Sequence, residues 1–213
     1  MSVSELSYMP GAKKRTKKVR WIVLHYTGTT TVKGMIDAWR RPDTTSGGTS
    51  FYRGTNYSID QDGSIVEWAD PVLYWTNHSV NHSAAVDTAS SVGIDFVMAA
   101  GQYPTPQQIK AGAALINLLC TKFSVPRTAA PDRADPEAPF VSDTDAFTFG
   151  VWKHRAFAHR RTNSRGEEWV TQCCGNQIDP QGLLDYVFSA KKKPELLYRD
   201  SEASNAYVAE HLK

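Results

Sequence analysis

The sequence predicts an α/β fold in which a central mixed sheet is flanked by helices. Apolar runs rich in β-branched and aromatic residues alternate along the chain with segments of helical periodicity, as in a sheet covered by helices. Within residues 56–68, an Asp62-Gly63 pair between two short apolar runs predicts a hairpin, which makes one strand pair antiparallel. With 213 residues, 41% of them hydrophobic, the chain can form one domain with its own core.

Three apolar segments are predicted as further strands. Residues 19–26 form a continuous run typical of a central strand buried on both faces, and His25 lies at its carboxyl end. In residues 91–99, apolar side chains alternate with small and polar ones, which indicates a second strand. The run 149–152 is the third candidate, and it leads into His154.

Three helices are predicted between and after these strands. Residues 32–39 place apolar side chains at helical spacing. Residues 105–123 begin with an N-cap threonine, a proline at the first helical position and a glutamine that completes a capping box. A third helix begins at Asp179-Pro180 and continues toward residue 188. Between them, residues 125–148 contain four prolines and indicate a long loop.

We expect one folded domain over residues 19–190 with a peripheral segment at each end. Residues 1–18 carry charge and turn formers without sustained periodicity, which indicates a flexible basic arm. Residues 191–213 begin with Lys-Lys-Lys-Pro and are expected to form a C-terminal tail or a peripheral helix.

Composition narrows the functional class. No apolar run approaches the roughly 20 residues of a membrane helix, and the N-terminus lacks the apolar stretch of a signal peptide, so we expect a protein of the cytosol. The three cysteines include the adjacent pair Cys173-Cys174, which argues against a disulfide framework. The net charge of +2 is too small to imply nucleic-acid binding, and the six Lys or Arg among residues 13–20 can be a solvated basic tail.

Two histidines and an aspartate are candidate metal ligands. His25 and His154 each follow a predicted strand, where a histidine is a natural ligand, although a single one is more often a core residue held by hydrogen bonds. Asp179 adds a carboxylate, but an aspartate before proline is also an ordinary helix N-cap. Two imidazoles and a carboxylate with an open fourth position would make a catalytic zinc site.

Five short motifs occur in a characteristic order: Val23 to His25, Tyr57 to Gly63, Ser91 to Asp95, His154-Arg155 and Asp179-Pro180. In this order they resemble the type 2 N-acetylmuramoyl-L-alanine amidases, which include phage lysozymes, bacterial anhydro-muropeptide amidases and peptidoglycan recognition proteins. The resemblance covers roughly residues 19–188. It implies a zinc amidase domain over residues 19–190, with the metal at one end of a substrate groove.

The resemblance also implies site residues. His25, His154 and Asp179 correspond to the family's two histidines and its Asp or Cys ligand, with Zn²⁺ as the cofactor. Asp95 stands where some members carry a glutamate base, so we expect it to be the general base; Glu67 or a zinc-held hydroxide alone are the alternatives.

Substrate contacts follow from the same comparison. Trp75 and His78 stand where the family often has a Trp-His-Ala-Gly-like segment, which puts both near the groove wall, although a polar surface loop is the alternative for His78. Tyr57 and Asn56 are further candidates for substrate binding.

The chain departs from the family pattern around the third ligand. Gln177 stands where a lysine often lies two residues before the metal-binding aspartate, so the oxyanion donor is open among Gln177, His159 and Asn56. His159 is also the alternative second ligand; we choose His154 because it directly follows a strand. The interval from His154 to Asp179 is long, and we attribute its length to an inserted loop.

These observations predict zinc-dependent hydrolysis of the amide bond between N-acetylmuramic acid and L-alanine in peptidoglycan. The expected setting is a monomeric phage endolysin with antimicrobial action, which stays in the cytoplasm of the producing cell and acts on the wall after release. Peptidoglycan is the expected partner, and neither nucleic acid nor a membrane is. A non-catalytic peptidoglycan-recognition domain is the alternative, and a DNA-binding protein is the third hypothesis, supported only by residues 13–20.

Overall fold

The protein is described by a computed structural model that covers residues 12–44, 50–78, 86–132, 146–157, 161–162, 168–169, 171, 173–186 and 198–199. Its helices are α1 (Val32–Trp39), α2 (Pro106–Phe123), α3 (His154–Phe157) and α4 (Pro180–Leu184). Its strands are β1 (Lys13–Lys14), β2 (Trp21–Tyr26), β3 (Asp43–Thr44), β4 (Ser50–Phe51), β5 (Tyr57–Ile59), β6 (Ile65–Glu67), β7 (Tyr74–Trp75), β8 (Ser91–Phe96), β9 (Val151–Lys153), β10 (Arg161–Thr162), β11 (Glu168–Trp169) and β12 (Tyr198–Arg199).

A six-stranded sheet forms the centre, in the order β12-β6-β5-β8-β2-β9. Strands β5, β8, β2 and β9 run parallel to one another, whereas β5 and β6 form an antiparallel hairpin. The hairpin turn contains Gly63, whose φ of +85° lies in the left-handed region that glycine adopts without strain. The predicted mixed sheet is therefore confirmed, and its antiparallel pair lies at Asp62-Gly63.

Helix α2 covers one face of this sheet. Its start has the predicted capping box, in which Thr105 accepts from the main-chain N–H of Gln108 while the Gln108 side chain accepts from that of Thr105. The buried core beneath it contains Leu24, Ile94 and Leu119. This face thus collects the alternating apolar residues of the central strands.

The opposite face is covered by two smaller clusters. Helix α1 packs Ile36 and Trp39 against Trp68. Beside it, Val23 packs with Trp152 in a second cluster that also contains residues of α3. The side chains of His25 and Asp95 belong to this face, because they alternate with residues that point toward α2.

Both terminal segments contribute short strands where the structure describes them, at residues 13–14 and 198–199. Strand β1 pairs antiparallel with β7, and Arg15 donates to the main-chain carbonyls of Tyr74, Ala89 and Ser91. Strand β12 pairs parallel with β6 and so extends the central sheet. The described end of the predicted arm is therefore built into the fold. Among the described residues, no helix has the length and apolar character needed to cross a membrane.

Candidate metal site and its surroundings

Polar side chains meet at the carboxyl ends of three adjacent parallel strands. His25 at the end of β2 lies in register with Asp95 of β8. On the other side, Leu24 lies in register with Lys153 of β9, so that His154 follows beside His25. Since residues in register on parallel strands point to the same face, the sheet itself brings these groups together.

His25, His154 and Cys173 form a group that can hold a metal ion. One ligand atom from each lies within 4.8 Å of the others. Sγ of Cys173 is 3.6 Å from Nδ1 of His25, and the ring centroids of His25 and His154 are 4.8 Å apart. The first histidine is buried, whereas His154 and Cys173 are partly exposed. The site is therefore anchored in the sheet and open on one side.

The neutral forms of His25 and Cys173 are favoured by their surroundings. Burial lowers the pKa of His25 well below its usual range, and the neighbouring His154 and His78 lower it further. Burial also raises the pKa of the Cys173 thiol well above its usual range, with Cys174 and the charge of Asp95 acting in the same direction. A neutral imidazole is ready to bind a metal, while a thiol releases its proton when it does.

Cys173 is held against the end of β2 by short contacts from both directions. The main-chain N–H of Tyr26 points at its sulfur at 3.4 Å, and its own carbonyl accepts from the N–H of Arg155 at 2.7 Å. The next residue, Cys174, is fully buried and directs its thiol to the carbonyl of Leu24 at 3.2 Å. Of the two adjacent cysteines, Cys174 therefore packs into the core, whereas Cys173 faces His25 and His154.

Asp179 does not lie in this group. Its carboxylate is the N-cap of α4 and accepts from the main-chain N–H of Gln181 at 3.1 Å, and the residue is exposed. The structure therefore places Cys173 where the sequence analysis expected Asp179. The sequence did contain a signal for Cys173 as the third ligand. The family resemblance allows either Asp or Cys as that ligand, and Cys173 lies nearer to His154 along the chain than Asp179 does. Gln177 was selected because it lies two residues before Asp179, so its position no longer supports a role as oxyanion donor.

Asp95 has the properties of a proton-exchanging group. It is buried with 6% exposure, and the hydroxyl of Thr55 lies 3.1 Å from its Oδ2. Burial raises its pKa to about 7, against the opposing effects of the Thr55 hydrogen bond and the positive charge of Arg53. A carboxyl group with a pKa near neutrality can both accept and return a proton. Sequence reasoning missed Thr55, which no motif singled out.

Tyr57 and Glu67 lie on the other face of the sheet. Tyr57 is in register with Ile94, it is fully buried in the core under α2, and its hydroxyl donates to Glu67 at 2.7 Å. The expectation that Tyr57 contacts substrate is therefore wrong, because apolar packing surrounds it. Glu67, the alternative base, is likewise separated from His25 by the sheet.

Asn56 and His78 are interior residues as well. The Asn56 amide donates to the carbonyls of Ala69 and Tyr74, and its oxygen accepts from the N–H of Gly93 at 3.3 Å. His78 is 8% exposed, with Nδ1 at 3.0 Å from Nε2 of His25. Asn56 is therefore not placed to contact substrate, which corrects that expectation, whereas substrate contact by His78 stays a prediction.

The two remaining predicted site residues are Trp75 and His159. Trp75 is half-buried in β7, with the Lys13 ammonium 5.2 Å from the ring centroid. His159 lies outside the described residues, so its choice against His154 stays a prediction.

Known proteins share the sequence pattern and the fold of this chain. The sequence model of the family described as N-acetylmuramoyl-L-alanine amidase matches residues 15–167. A selenomethionine derivative of AmpD is similar in structure, with a TM-score of 0.53 and 15% identity, covering 82% of this chain and 90% of that chain. At this identity the likeness to AmpD concerns the fold. No curated protein sequence matches the chain.

Two further structures resemble it more distantly. One is the Ph2119 endolysin of a Thermus scotoductus bacteriophage, with a TM-score of 0.47 and 15% identity, covering 81% of this chain and 86% of that chain. The other is the Drosophila peptidoglycan recognition protein SD, with a TM-score of 0.45 and 13% identity over 78% of this chain and 80% of that chain.

Proposed function

Because this chain belongs to the N-acetylmuramoyl-L-alanine amidase family, we propose that it is a zinc-dependent hydrolase of peptidoglycan. The bond is the amide between N-acetylmuramic acid and the first L-alanine of the stem peptide. The observation that carries this proposal is the convergence of His25, His154 and Cys173 from three separate segments, beside the buried carboxyl group of Asp95.

The donor set fits zinc. A tetrahedral zinc ion with Zn–S of about 2.3 Å and Zn–N of about 2.0–2.1 Å separates its sulfur and nitrogen ligands by about 3.6 Å. The Sγ of Cys173 and the Nδ1 of His25 are 3.6 Å apart. Three protein ligands would leave the fourth position to water, which distinguishes a catalytic zinc site from a structural one.

Asp95 is the proposed general base. A zinc ion held by the three ligands would supply an acidified water and polarise the scissile carbonyl. Asp95 takes the proton of the attacking water and returns it to the departing alanine nitrogen, so that water and amide become a carboxylic acid and an amine, which at neutral pH are present as carboxylate and ammonium. Its burial beside Thr55 gives it the shielded position from which a carboxyl group can exchange a proton with bound water.

Thr55 can support Asp95 in either protonation state. Its hydroxyl lies 3.1 Å from Oδ2 of Asp95 and 2.9 Å from the carbonyl of Tyr57. When Asp95 is charged, the single hydroxyl hydrogen can point at the carboxylate. When Asp95 is protonated, Thr55 can accept from it and donate to Tyr57 instead. The base therefore keeps a hydrogen-bond partner throughout the proton transfer.

The finer parts of the proposal extend this chemistry. We propose His159 as the oxyanion donor, since Asn56 is engaged in the interior and Gln177 was singled out only by its spacing from Asp179. We assign the enzyme to phage-induced lysis, as an endolysin that acts on the wall after release.

Digestion of purified peptidoglycan tests the reaction. The protein should release new N-terminal alanine without new reducing sugar ends, lose this activity with a chelator and regain it with Zn²⁺. Reducing ends would indicate a glycosidase. Binding to the wall polymer without any cleavage would indicate a recognition domain.

Added to permeabilised bacteria, the active protein should clear the suspension, as its assignment to lysis requires. Cleavage of purified peptidoglycan without clearing would contradict that assignment.

A further inference from the structure

A chain of hydrogen bonds connects the candidate ligand His25 to the main chain at the start of β8. Nε2 of His25 is 3.0 Å from Nδ1 of His78, and Nε2 of His78 is 2.9 Å from Oγ of Ser91. Oγ of Ser91 is in turn 2.7 Å from the main-chain carbonyl oxygen of Asp87. Every link has hydrogen-bond length, and both ring nitrogens of His78 take part.

The direction of each bond follows from counting hydrogens. A carbonyl only accepts and a serine hydroxyl has one hydrogen, so Ser91 donates to Asp87. His78 must then donate from Nε2, and in a neutral imidazole the other ring nitrogen, here Nδ1, accepts. His25 therefore donates from Nε2. This leaves a lone pair on the Nδ1 of His25, the nitrogen that faces Sγ of Cys173.

We propose that His78 is a positioning residue that holds His25 in the tautomer whose Nδ1 can bind the metal. The inference rests on the proposed function, because it takes the metal to lie between His25, His154 and Cys173. In the opposite tautomer, Nδ1 of His25 carries a hydrogen and cannot act as a ligand. Metal-binding histidines commonly donate their other N–H to such an acceptor, and losing that partner typically weakens metal binding by about 10–100-fold.

The surrounding residues keep this chain of hydrogen bonds in place. A Cβ on Gly93 would lie 2.6 Å from Cγ of His78, so the ring packs directly on the backbone of β8 at a glycine. At the other end, the Asp87 carboxylate accepts from the N–H of Ser90 at 2.7 Å and pairs with Lys17 at 2.7 Å. The carbonyl that sets the direction is therefore fixed by the local turn and by an ion pair.

Two substitutions of similar size separate positioning from packing. His78→Asn introduces an amide oxygen close to where Nδ1 lies, and so keeps an acceptor for His25. His78→Gln brings its amide toward the position of Nε2 and offers no acceptor at the position of Nδ1. We expect zinc affinity, measured by competition with a chromogenic chelator, to fall about 10–100-fold in His78→Gln and within about threefold of wild type in His78→Asn. Equal affinities in the two variants would overturn the proposal.

Ring nitrogen NMR of the chelator-treated wild-type protein gives a second test that needs neither a variant nor activity. We expect His25 to carry its hydrogen on Nε2 and His78 to carry its own on Nε2 as well. A hydrogen on Nδ1 of His25 would refute the proposal, whatever the variants show. Failure of the proposed function looks different, because a wild-type protein that binds no zinc can still show these tautomers.

Discussion

The candidate site joins two kinds of structure that hold their side chains in different ways. His25 and Asp95 lie on adjacent parallel strands, where six residue pairs in register determine their direction. Cys173 lies in an irregular segment and is held at the end of β2 by contacts with Tyr26 and Arg155. A strand residue is thus positioned by the whole sheet, whereas a loop residue depends on a few local hydrogen bonds.

The largest expected effect concerns the ligand that the irregular segment supplies. We expect Cys173→Ala to lose bound zinc and Asp179→Ala to keep it, because the thiol faces His25 while the carboxylate caps α4. Metal analysis of the two purified variants, with wild type holding one zinc per chain, makes the comparison. Zinc retained in Cys173→Ala and absent from Asp179→Ala would return the third ligand to the aspartate.

The strand side of the site is tested through its proposed base. Asp95→Asn should keep zinc and the fold but lose on the order of 10²-fold or more in rate, as removal of a positioned base does. Glu67→Gln is the matched control, since Glu67 bonds Tyr57 on the opposite face of the sheet. Initial rates of alanine release check both variants. If the two retain similar activity, the base role belongs elsewhere.

The strand-borne part of the structure was predictable because alternation and capping are local. The mixed sheet, the Asp62-Gly63 hairpin and the capping box at Thr105 follow from neighbouring residues. Tyr57 was misassigned although it alternates with Ile59 on an apolar face, because a motif outweighed that pattern.

The loop-borne part was not predictable in the same way. The contact of Cys173 with His25 spans 148 residues and carries no local signal. The pairing of β1 with β7 likewise joins two-residue strands, one of them Lys13–Lys14, that no periodicity reveals. The sequence therefore predicts the residues on regular strands better than those that tertiary contacts alone bring to the site.

Asp95 should also make stability depend on pH. Its folded-state pKa of about 7 lies above its ordinary value of 3.8, so the folded protein binds this proton more tightly than the unfolded chain does. The contribution of Asp95 to the free energy of unfolding of the wild-type protein is therefore fully present at low pH, and it is lost as the pH rises from about 4 to about 7. In chelator-treated protein, Asp95→Asn should therefore unfold at similar denaturant concentration near pH 4. At pH 8 it should be more stable than wild type by an amount on the order of a few kcal/mol. An advantage that does not grow with pH would contradict this account of the buried carboxyl group.

The smallest expected effect separates the capping role of Asp179 from any metal role. Its side chain satisfies one N–H at the start of α4, a helix of five residues whose Leu183 packs into the core. Replacing a capping aspartate by alanine typically costs about 0.5–2 kcal/mol, whereas asparagine caps nearly as well. We expect Asp179→Ala to lower the free energy of unfolding by about 1 kcal/mol with or without zinc, and Asp179→Asn to leave it close to wild type. Denaturant titrations of zinc-loaded and chelator-treated protein provide the measurement.

A metal ligand would behave otherwise, because its removal would cost stability only when zinc is present. If Asp179→Ala lowers the free energy of unfolding only in the zinc-loaded protein, Asp179 reaches the metal. The third ligand would then be Asp179, at the start of α4, and not Cys173.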